Sequence, residues 1–419
     1  MRDGEGPVQG MKLRINAARL LADIEALAQI GRTPDGGVSR PALSLADLEG
    51  RAWFRARVEG DGFEWRQDGA GNLSAVLRAS DPSAPTLLVG SHLDTVPDGG
   101  RFDGALGVLA ALEALRTLHE AGMRLPVHLE AIAFTDEEGH VLGLLGSRAL
   151  AGQITPEDLE HPRGGRAALA DGMQRLGLTR EGILAARRRP ESLAGYVELH
   201  IEQGRRLEDA GIDIGVVTAI VGIRSCWLRF VGQAAHAGTT PMPDRADALL
   251  GAADFVTRAR ALVMARFAPG VVNCGQVCVA PGAFNIVPGA ARLALEFRHG
   301  ADADLDAMEA ALLALAAESA QRYRLKLEVE PGERCAPALM HESIIAAIEG
   351  AAAELGLSHT RLLSFAGHDA QVMSAVTPTA MLFVPSQGGV SHNPREFTAP
   401  GDVVNGANVL LHTLLKLAV

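Results

Sequence analysis

Two apolar runs and an Ala- and Leu-rich segment between them constrain the fold of this chain most strongly. Thr86–Gly90 and Pro126–Thr135 have the continuous hydrophobicity of strands that are buried on both faces. Gly104–Leu118 lies between them and has the composition of a helix. A strand–helix–strand unit of this kind predicts a parallel sheet that is covered by helices.

Tyr196–Ile201 and Thr379–Val384 are predicted to add two strands to this sheet. Between them the pattern changes to short strands around two long helices, which is typical of a compact α+β module with a mostly antiparallel sheet of four or five strands. Its predicted helices are Arg245–Phe267 and Ala303–Tyr323, and its predicted strands are Val216–Ile220, Ser225–Val231, Val271–Val279, Ala291–Arg298 and Leu325–Val329. After this module the doubly wound pattern resumes with a helix predicted around Glu342–Leu355.

We therefore expect an α/β fold in which a smaller domain is inserted into a larger one. The length of 419 residues is compatible with two or three domains. The doubly wound domain is predicted to comprise residues 1–212 and 332–419, and the inserted α+β (ferredoxin-like) domain residues 213–331.

The net charge of −11 argues against a protein that binds nucleic acid through its overall charge. Residues Pro162–Pro190 are rich in arginine, and a phosphate or nucleic-acid patch there is the alternative to a solvated helical excursion. The excursion is the preferred interpretation, because no aromatic residues alternate with the arginines.

Three further features concern the compartment. No run approaches the 18 or so apolar residues that cross a bilayer. The segment Met1–Gly10 is polar and does not resemble a secretory signal, and four cysteines are too few for a disulfide framework. We expect a soluble, cytoplasmic protein with no nucleic-acid and no membrane partner.

Metal-ligating side chains follow four of the predicted strands. Because the carboxyl ends of parallel strands meet at one edge of a sheet, these side chains are expected to converge there. Each group has a simpler alternative, namely a polar turn, a solvated acidic loop or a structural histidine. Together they predict a site for metal-dependent hydrolysis, since two cations bridged by a carboxylate need about this set of ligands. The candidates are His92 and Asp103 after the first strand, Glu138 after the second, His200 on the third and His392 after the fourth.

Competing hydrolytic and nucleotide-binding motifs are missing from the sequence. It contains no GxSxG elbow, no phosphate loop and no GxGxxG that follows a strand.

Several longer strings resemble one family. They are GSHLDTVPDGGRFDGALG, FTDEEG, GSRALAG, ELHIEQG, GQAAHAGTTPM, FNIVPG, GHDA and VPSQGGVSHNPRE, and the similarity extends from Ile30 to His412. They resemble the amidase, hydantoinase and carbamoylase group of the zinc aminoacylase/carboxypeptidase superfamily. This group includes N-carbamoyl-L-amino-acid hydrolases, allantoate amidohydrolases and bacterial-type β-ureidopropionases. His200 in ELHIEQG is distinctive, because related peptidases usually have a carboxylate there.

The resemblance implies two divalent metal ions, which could be zinc, manganese, cobalt or nickel. His92, Asp103 and His200 would hold one ion, and Asp103 would bridge to a second ion held by Glu138 and His392. Asp94 would orient His92, and Glu137 would be the general base for attack by a metal-bridged hydroxide.

The resemblance also implies substrate-binding residues. His236 would contact the substrate and stabilise the oxyanion, and Arg298 would bind a carboxylate through its planar guanidinium. The inserted domain would act as a lid and form a homodimer, in which His236 and Asn285 reach the metals of the neighbouring subunit. Gln203 and Gly367 match further substrate-binding positions, whereas His368 and Asp369 are assigned no role.

The chain departs from the family pattern at two places. The loop after Glu138 is about two residues shorter, with Val141 where an arginine is common. Phe365 in SFAGHDA replaces a usual glycine near the expected substrate pocket. Neither change touches a predicted metal ligand, but both bear on substrate choice.

The sequence thus predicts a dinuclear metal amidohydrolase that cleaves the non-peptide C–N bond of an N-carbamoyl-L-amino acid or a related ureido acid carrying a carboxylate. An allantoate amidohydrolase or β-ureidopropionase is the alternative. A dipeptidase or aminoacylase is disfavoured by His200, and a non-catalytic metal-binding scaffold is disfavoured by Glu137, since a scaffold has no need for a base beside the metals.

Overall fold

The computed structural model describes residues 13–418, so the predicted absence of a signal in Met1–Gly10 lies outside the described residues. The chain divides into two compact units. The first contains the residues up to Thr218 and those from Met340 onward, and the second is Ala219–Leu339. The prediction of an α/β fold with a smaller inserted α+β unit is confirmed.

The elements are numbered in chain order. The strands are β1 (Glu64–Gln67), β2 (Leu73–Leu77), β3 (Thr86–His92), β4 (His128–Phe134), β5 (Leu193–Ile201), β6 (Ile214–Ile220), β7 (Gly222–Val231), β8 (Ala235–His236), β9 (Val271–Ala280), β10 (Ile286–Val287), β11 (Ala290–His299), β12 (Lys326–Cys335), β13 (Ala338–Leu339), β14 (His359–Ser364) and β15 (Thr379–Val384). The helices are α1 (Ala17–Ala28), α2 (Leu45–Gly60), α3 (Ala105–Glu120), α4 (Leu145–Leu150), α5 (Pro156–Glu160), α6 (Arg166–Leu176), α7 (Arg180–Ala185), α8 (Arg206–Ala210), α9 (Ala248–Arg266), α10 (Asp302–Arg322), α11 (Glu342–Leu355), α12 (Asp369–Met373) and α13 (Pro400–Leu417).

The large sheet has the strand order β1-β2-β4-β3-β5-β15-β6-β13, and β14 also pairs with β6. Its four central strands, β4, β3, β5 and β15, are parallel, whereas the flanking pairs are antiparallel. The central strands are almost wholly buried, which agrees with their continuous apolar sequences. Helix α3 packs against β3, β4 and β5, and it provides the predicted crossover between β3 and β4.

The predicted sheet assignment of Val216–Ile220 is wrong. This segment belongs to β6, and it pairs antiparallel with β15 of the large sheet through Val216 and Val217 rather than joining the inserted module. Both valines are fully buried, as expected for an apolar run in a strand that is covered on both faces. The units consequently meet at Thr218–Ala219 and Leu339–Met340, further along the chain than 212/213 and 331/332.

The second unit has a four-stranded antiparallel sheet of order β12-β7-β11-β9. Helices α9 and α10 pack against this sheet. Every second residue of β11 is buried, and Leu293, Leu295 and Phe297 join Phe230 and Phe255 in the core between the sheet and the helices. This alternation is the pattern expected of a sheet that buries one face.

The arginine-rich segment forms the short helices α6 and α7, as the excursion interpretation expects. Leu169 and Ile183 of these helices share a buried cluster with Val141, so the residue that replaces the usual arginine is part of a small core. Arg188 forms two hydrogen bonds, of 2.7 and 2.6 Å, with the buried carboxylate of Glu130. Its charge is therefore compensated within the protein.

Within residues 13–418, no helix combines the length and hydrophobicity needed to cross a bilayer.

Candidate active site

Four parallel strands deliver polar side chains to one edge of the large sheet. His92 is the last residue of β3, and Glu138 follows β4 by four residues. His200 is the penultimate residue of β5, and His392 lies in the loop after β15. Because these strands run in the same direction, their carboxyl ends lie at the same edge, as the sequence predicts.

Two groups of potential metal ligands meet at Asp103. Its Oδ1 lies 3.6 Å from His92 Nε2 and 3.1 Å from His200 Nε2. Its Oδ2 lies 3.4 Å from His392 Nε2, which in turn lies 3.4 Å from Glu138 Oε2. The ligand atoms of each group lie within 4.8 Å of one another. Asp103 thus has one oxygen toward each group, which is the arrangement of a bridging carboxylate.

The donor set fits divalent cations. Imidazole nitrogen and carboxylate oxygen are the ligands that zinc and its neighbours accept in hydrolytic sites. Oε1 of Glu138 is buried and has no hydrogen-bond partner among the described residues, although an unpaired buried carboxylate oxygen is costly. A cation bound by Glu138 and His392 would satisfy that oxygen.

Without bound cations, protonated imidazoles supply the positive charge beside the carboxylates of Asp103 and Glu138. The hydrogen bond with Asp103, with the charge of Glu138, raises the pKa of His392 to about 9 although partial burial opposes this. Burial alone would raise the pKa of Asp103, but the adjacent imidazoles, His200 foremost, hold it well below its usual range. Metal ions that bind here must therefore displace protons from the histidines.

Asp94 contacts His92 through its main chain. Nδ1 of His92 contacts the backbone carbonyl oxygen of Asp94 at 2.9 Å, whereas the nearest carboxylate oxygen of Asp94 is 3.9 Å away. The carboxylate instead accepts hydrogen bonds from the backbone N–H groups of Glu137 and Glu138, at 3.4 and 3.2 Å. One residue thus fixes His92 through its main chain and the acidic loop after β4 through its side chain.

Glu137 lies beside the ligand group of His92, Asp103 and His200. Its Oε2 is 3.6 Å from His92 Nε2, and only 10% of its side chain is exposed. Burial raises the pKa of Glu137 well above its ordinary value, and the negative charges of Asp369 and Glu138 add to this although His92 opposes it. A carboxylate in this environment holds a proton more readily than one in water, as a general base that later acts as an acid requires.

Two acids that the sequence analysis did not single out support the ligands. Glu396 Oε1 accepts the backbone N–H groups of Phe102 and Asp103, at 2.9 and 3.1 Å. Glu198 is fully buried and accepts the Ser91 hydroxyl at 2.7 Å, next to ligand His92. Both acids lie within strings that resemble the family, Glu198 in ELHIEQG and Glu396 in VPSQGGVSHNPRE. These positions were the available signal.

Arg40 is a third supporting residue. It is 1% exposed and donates to the carbonyl oxygen of Leu93, between His92 and Asp94, at 2.8 Å. It also donates to the carbonyl oxygen of Leu27 in α1, at 3.1 Å. Burial lowers the pKa of Arg40 to about 10, so its charge is retained at neutral pH. Nothing in its local sequence distinguishes it from a surface arginine.

Gln203 and His368 lie against the ligands. The side-chain amide of Gln203 donates to Oδ2 of Asp103 at 2.9 Å. His368 is buried, and its ring centroid lies 4.5 Å from that of His200. Asp369 is also fully buried, whereas Gly367 is exposed. The segment that contains the predicted substrate residue Gly367 therefore extends from His368, beside His200, to the surface.

The second unit brings two of its predicted residues together. Strand β8 pairs with β10, and the N–H of Ala237 donates to the carbonyl oxygen of Asn285 beside His236. His236 Nδ1 accepts the N–H of Gly238 at 3.0 Å. The neutral ring therefore carries its proton on Nε2, and the exposed Nε2–H is a hydrogen-bond donor.

Arg298 is far from these two residues within the unit. It pairs with Ile223 near the start of β7, whereas His236 follows Val231, the last residue of β7. About 27 Å of extended strand separates Ile223 from Val231. Arg298 and His236 are therefore placed near opposite ends of β7.

Comparisons with known proteins agree over nearly the whole chain. The model of peptidase family M20/M25/M40 matches residues 88–416. N-carbamoyl-L-amino acid amidohydrolase of Geobacillus stearothermophilus is 37% identical over 408 residues, covering 96% of this chain and 99% of that protein. Allantoate amidohydrolase of Bacillus subtilis is 33% identical over 413 residues, covering 97% of this chain and 99% of that protein. The crystal structure of an amidase of the hydantoinase/carbamoylase family from Burkholderia multivorans superposes with a TM-score of 0.89 at 36% identity, covering 97% and 98% of the two chains.

Proposed function

This chain belongs to peptidase family M20/M25/M40 and is an amidohydrolase of its hydantoinase and carbamoylase group, and on that premise we propose that it hydrolyses N-carbamoyl-L-amino acids. Hydrolysis of the bond to the terminal nitrogen releases ammonia and leaves an N-carboxy amino acid, which then loses carbon dioxide to give the free amino acid. The single observation that carries the proposal is the pair of ligand groups sharing Asp103, with Glu137 beside them.

Two divalent cations would be held by these groups. His92, Asp103 and His200 would bind one, and Asp103, Glu138 and His392 the other. When bound, such cations polarise a carbonyl group and make water acidic enough to attack it near neutral pH. Zinc, manganese, cobalt and nickel all suit these ligands.

Glu137 moves the proton in this proposal. Its carboxylate takes a proton from the attacking water and donates it to the nitrogen of the leaving ammonia. Its Oε2 lies 3.6 Å from His92 Nε2, so it is beside the proposed metal ligands. A metal-binding scaffold would not require a buried acid at this point.

Two residues of the second unit complete the proposed site from different subunits. Arg298 would bind the substrate carboxylate, and the Nε2–H of His236 would donate to the developing oxyanion. Arg298 pairs with a residue near the start of β7, whereas His236 follows the end of β7. We therefore propose that His236 and Asn285 act in the site of a dimer partner.

The edge of the second unit's sheet supports such a homodimer. Strand β9 pairs on one side with β11, and no other described strand pairs with it. Val271 and Val277 on β9 are 43% and 48% exposed. An edge strand with exposed valines is suited to pairing with a second copy of itself.

A cytoplasmic location belongs to the same proposal. No disulfide joins the four cysteines, all of which lie in the described part of the chain, as expected in a reducing compartment.

A substrate panel tests the proposed function. Protein reconstituted with Mn²⁺ or Zn²⁺ is expected to release ammonia from N-carbamoyl-L-amino acids, to stop when a chelator is added and to recover when metal is restored. Allantoate belongs in the panel because of the Bacillus subtilis relative, with N-acetyl amino acids and dipeptides as controls. Preferred cleavage of dipeptides, or no ammonia from any ureido compound by metal-loaded protein, would contradict the proposal.

A further inference from the structure

Arg206 and Phe365 form a contact that the proposed mechanism does not use. The guanidinium carbon of Arg206 lies 4.7 Å from the centroid of the Phe365 ring. Arg206 is exposed and Phe365 is half-buried. We call this pair the Arg206–Phe365 rim.

The rim lies close to the proposed catalytic site. Arg206 follows Gln203, which donates to a metal ligand, by three residues. Phe365 precedes His368, which packs against ligand His200, by three residues. Three residues of chain span about 11 Å at most, so both halves of the rim lie within about that distance of residues that contact the ligands.

The charge of Arg206 is not compensated within the described part of the chain. Its neighbour Arg205 forms an ion pair of 2.9 Å with Asp209, but no described carboxylate lies within ion-pair distance of the Arg206 guanidinium. Glu202 is the nearest acid before it in sequence. Its two oxygens are occupied by the backbone N–H groups of Arg206 and Leu207, each at 2.9 Å.

The aromatic contact orients this free charge. A guanidinium next to an aromatic ring loses less side-chain freedom when it binds a ligand, because part of that freedom is already lost. The N–H groups at the edge of a guanidinium can bind both oxygens of a carboxylate.

We propose that the Arg206–Phe365 rim binds a second carboxylate of the substrate, which makes the preferred substrates the N-carbamoyl derivatives of acidic amino acids. This inference rests on the proposed function, in which Arg298 binds the first carboxylate. The second carboxylate is that of the side chain, and it takes the place of the ion-pair partner that Arg206 lacks.

The test compares substrates that differ only in the charge of the side chain. N-carbamoyl-L-glutamate and N-carbamoyl-L-glutamine are given to the metal-loaded protein, and the ratio of their kcat/KM values is measured. We expect the wild type to prefer the glutamate derivative on the order of tenfold, as a charge-assisted hydrogen bond allows. Arg206→Gln is expected to bring this ratio close to one, and Phe365→Gly to reduce it. Arg205→Gln is the matched control, in which the ratio should stay at the wild-type value.

Two results would overturn the inference alone. One is a wild type that hydrolyses both compounds with equal kcat/KM, and the other is an Arg206→Gln variant that keeps the wild-type ratio. Failure to hydrolyse either compound, or any other ureido acid, would instead overturn the proposed function and this inference with it.

Discussion

At the scale of single residues, the proposed site for two metal ions depends on Asp103. This carboxylate has one oxygen toward His92 and His200 and the other toward His392. Removing a ligand that belongs to one group should therefore have a different effect from removing the shared one.

We expect His392→Ala to retain about one metal ion per chain, because the group of His92, Asp103 and His200 stays intact. Asp103→Ala should lose both ions, and the wild type should hold two. His341→Ala is a suitable control, since His341 is exposed and its Nδ1 contacts Ser343. Metal analysis after gel filtration measures the ratio, and two ions retained by His392→Ala would argue against two groups that share Asp103.

The convergence of the five proposed ligands could be predicted because each lies near or after the end of a recognisable apolar strand. It did not find Arg40 or Glu396, which act by hydrogen bonds to backbone groups distant in sequence. In the structure Asp94 contacts His92 through its backbone carbonyl oxygen, which the residue type alone does not specify. Contacts with the main chain leave no trace in residue type or spacing, although Glu396 lies within one of the strings that resemble the family.

At the scale of the elements, the start of helix α3 lies beside His92 of the group that also contains Asp103 and His200. Gly104 precedes α3 with φ of 65°, a left-handed conformation that disfavours other residues. A Cβ atom at Gly104 would overlap the imidazole ring of His92. The helix can therefore begin beside this ligand only because a glycine precedes it.

Gly104→Ala and Gly122→Ala form a matched pair that tests this role. Gly122 follows α3 with φ of 64°, but a Cβ there would meet no atom within 4 Å. Each variant should lose about 1 kcal/mol of stability from backbone strain. We expect only Gly104→Ala to lose metal affinity, because only it displaces His92. Thermal unfolding and metal titration of both variants provide the check, and equal metal affinities would show that the clash with His92 is relieved without effect.

The strands of the large sheet were predicted well where they are parallel and buried, as in β15, and α11 also has its predicted bounds. The error at β6 has a physical cause. An apolar run of that length shows that a strand is buried but not which neighbour buries it, and Val216 and Val217 find theirs in β15. Pairing between strands that are distant in sequence is not encoded locally.

At the scale of the whole molecule, the proposed site takes Arg298 from one chain and His236 from the other, because the two residues lie near opposite ends of β7. Glu137→Gln and His236→Ala should each be inactive as homodimers. In a heterodimer of the two variants, one site would combine the intact Glu137 of one chain with the intact His236 of the other.

Such a heterodimer, purified through two different affinity tags, should recover about half of the wild-type activity, since one of its two sites is complete. Ammonia release from N-carbamoyl-L-amino acids provides the measurement. An inactive heterodimer would show instead that His236 acts within its own chain.

Ammonia release by Glu137→Gln, measured together with its metal content, tests the proposed role of Glu137. We expect the variant to keep two metal ions per chain and to lose turnover by a factor of about 10²–10⁴, the usual contribution of a general acid–base group. Near-wild-type turnover by a metal-loaded variant would contradict the role of Glu137 as the proton carrier of a metal-dependent amidohydrolase.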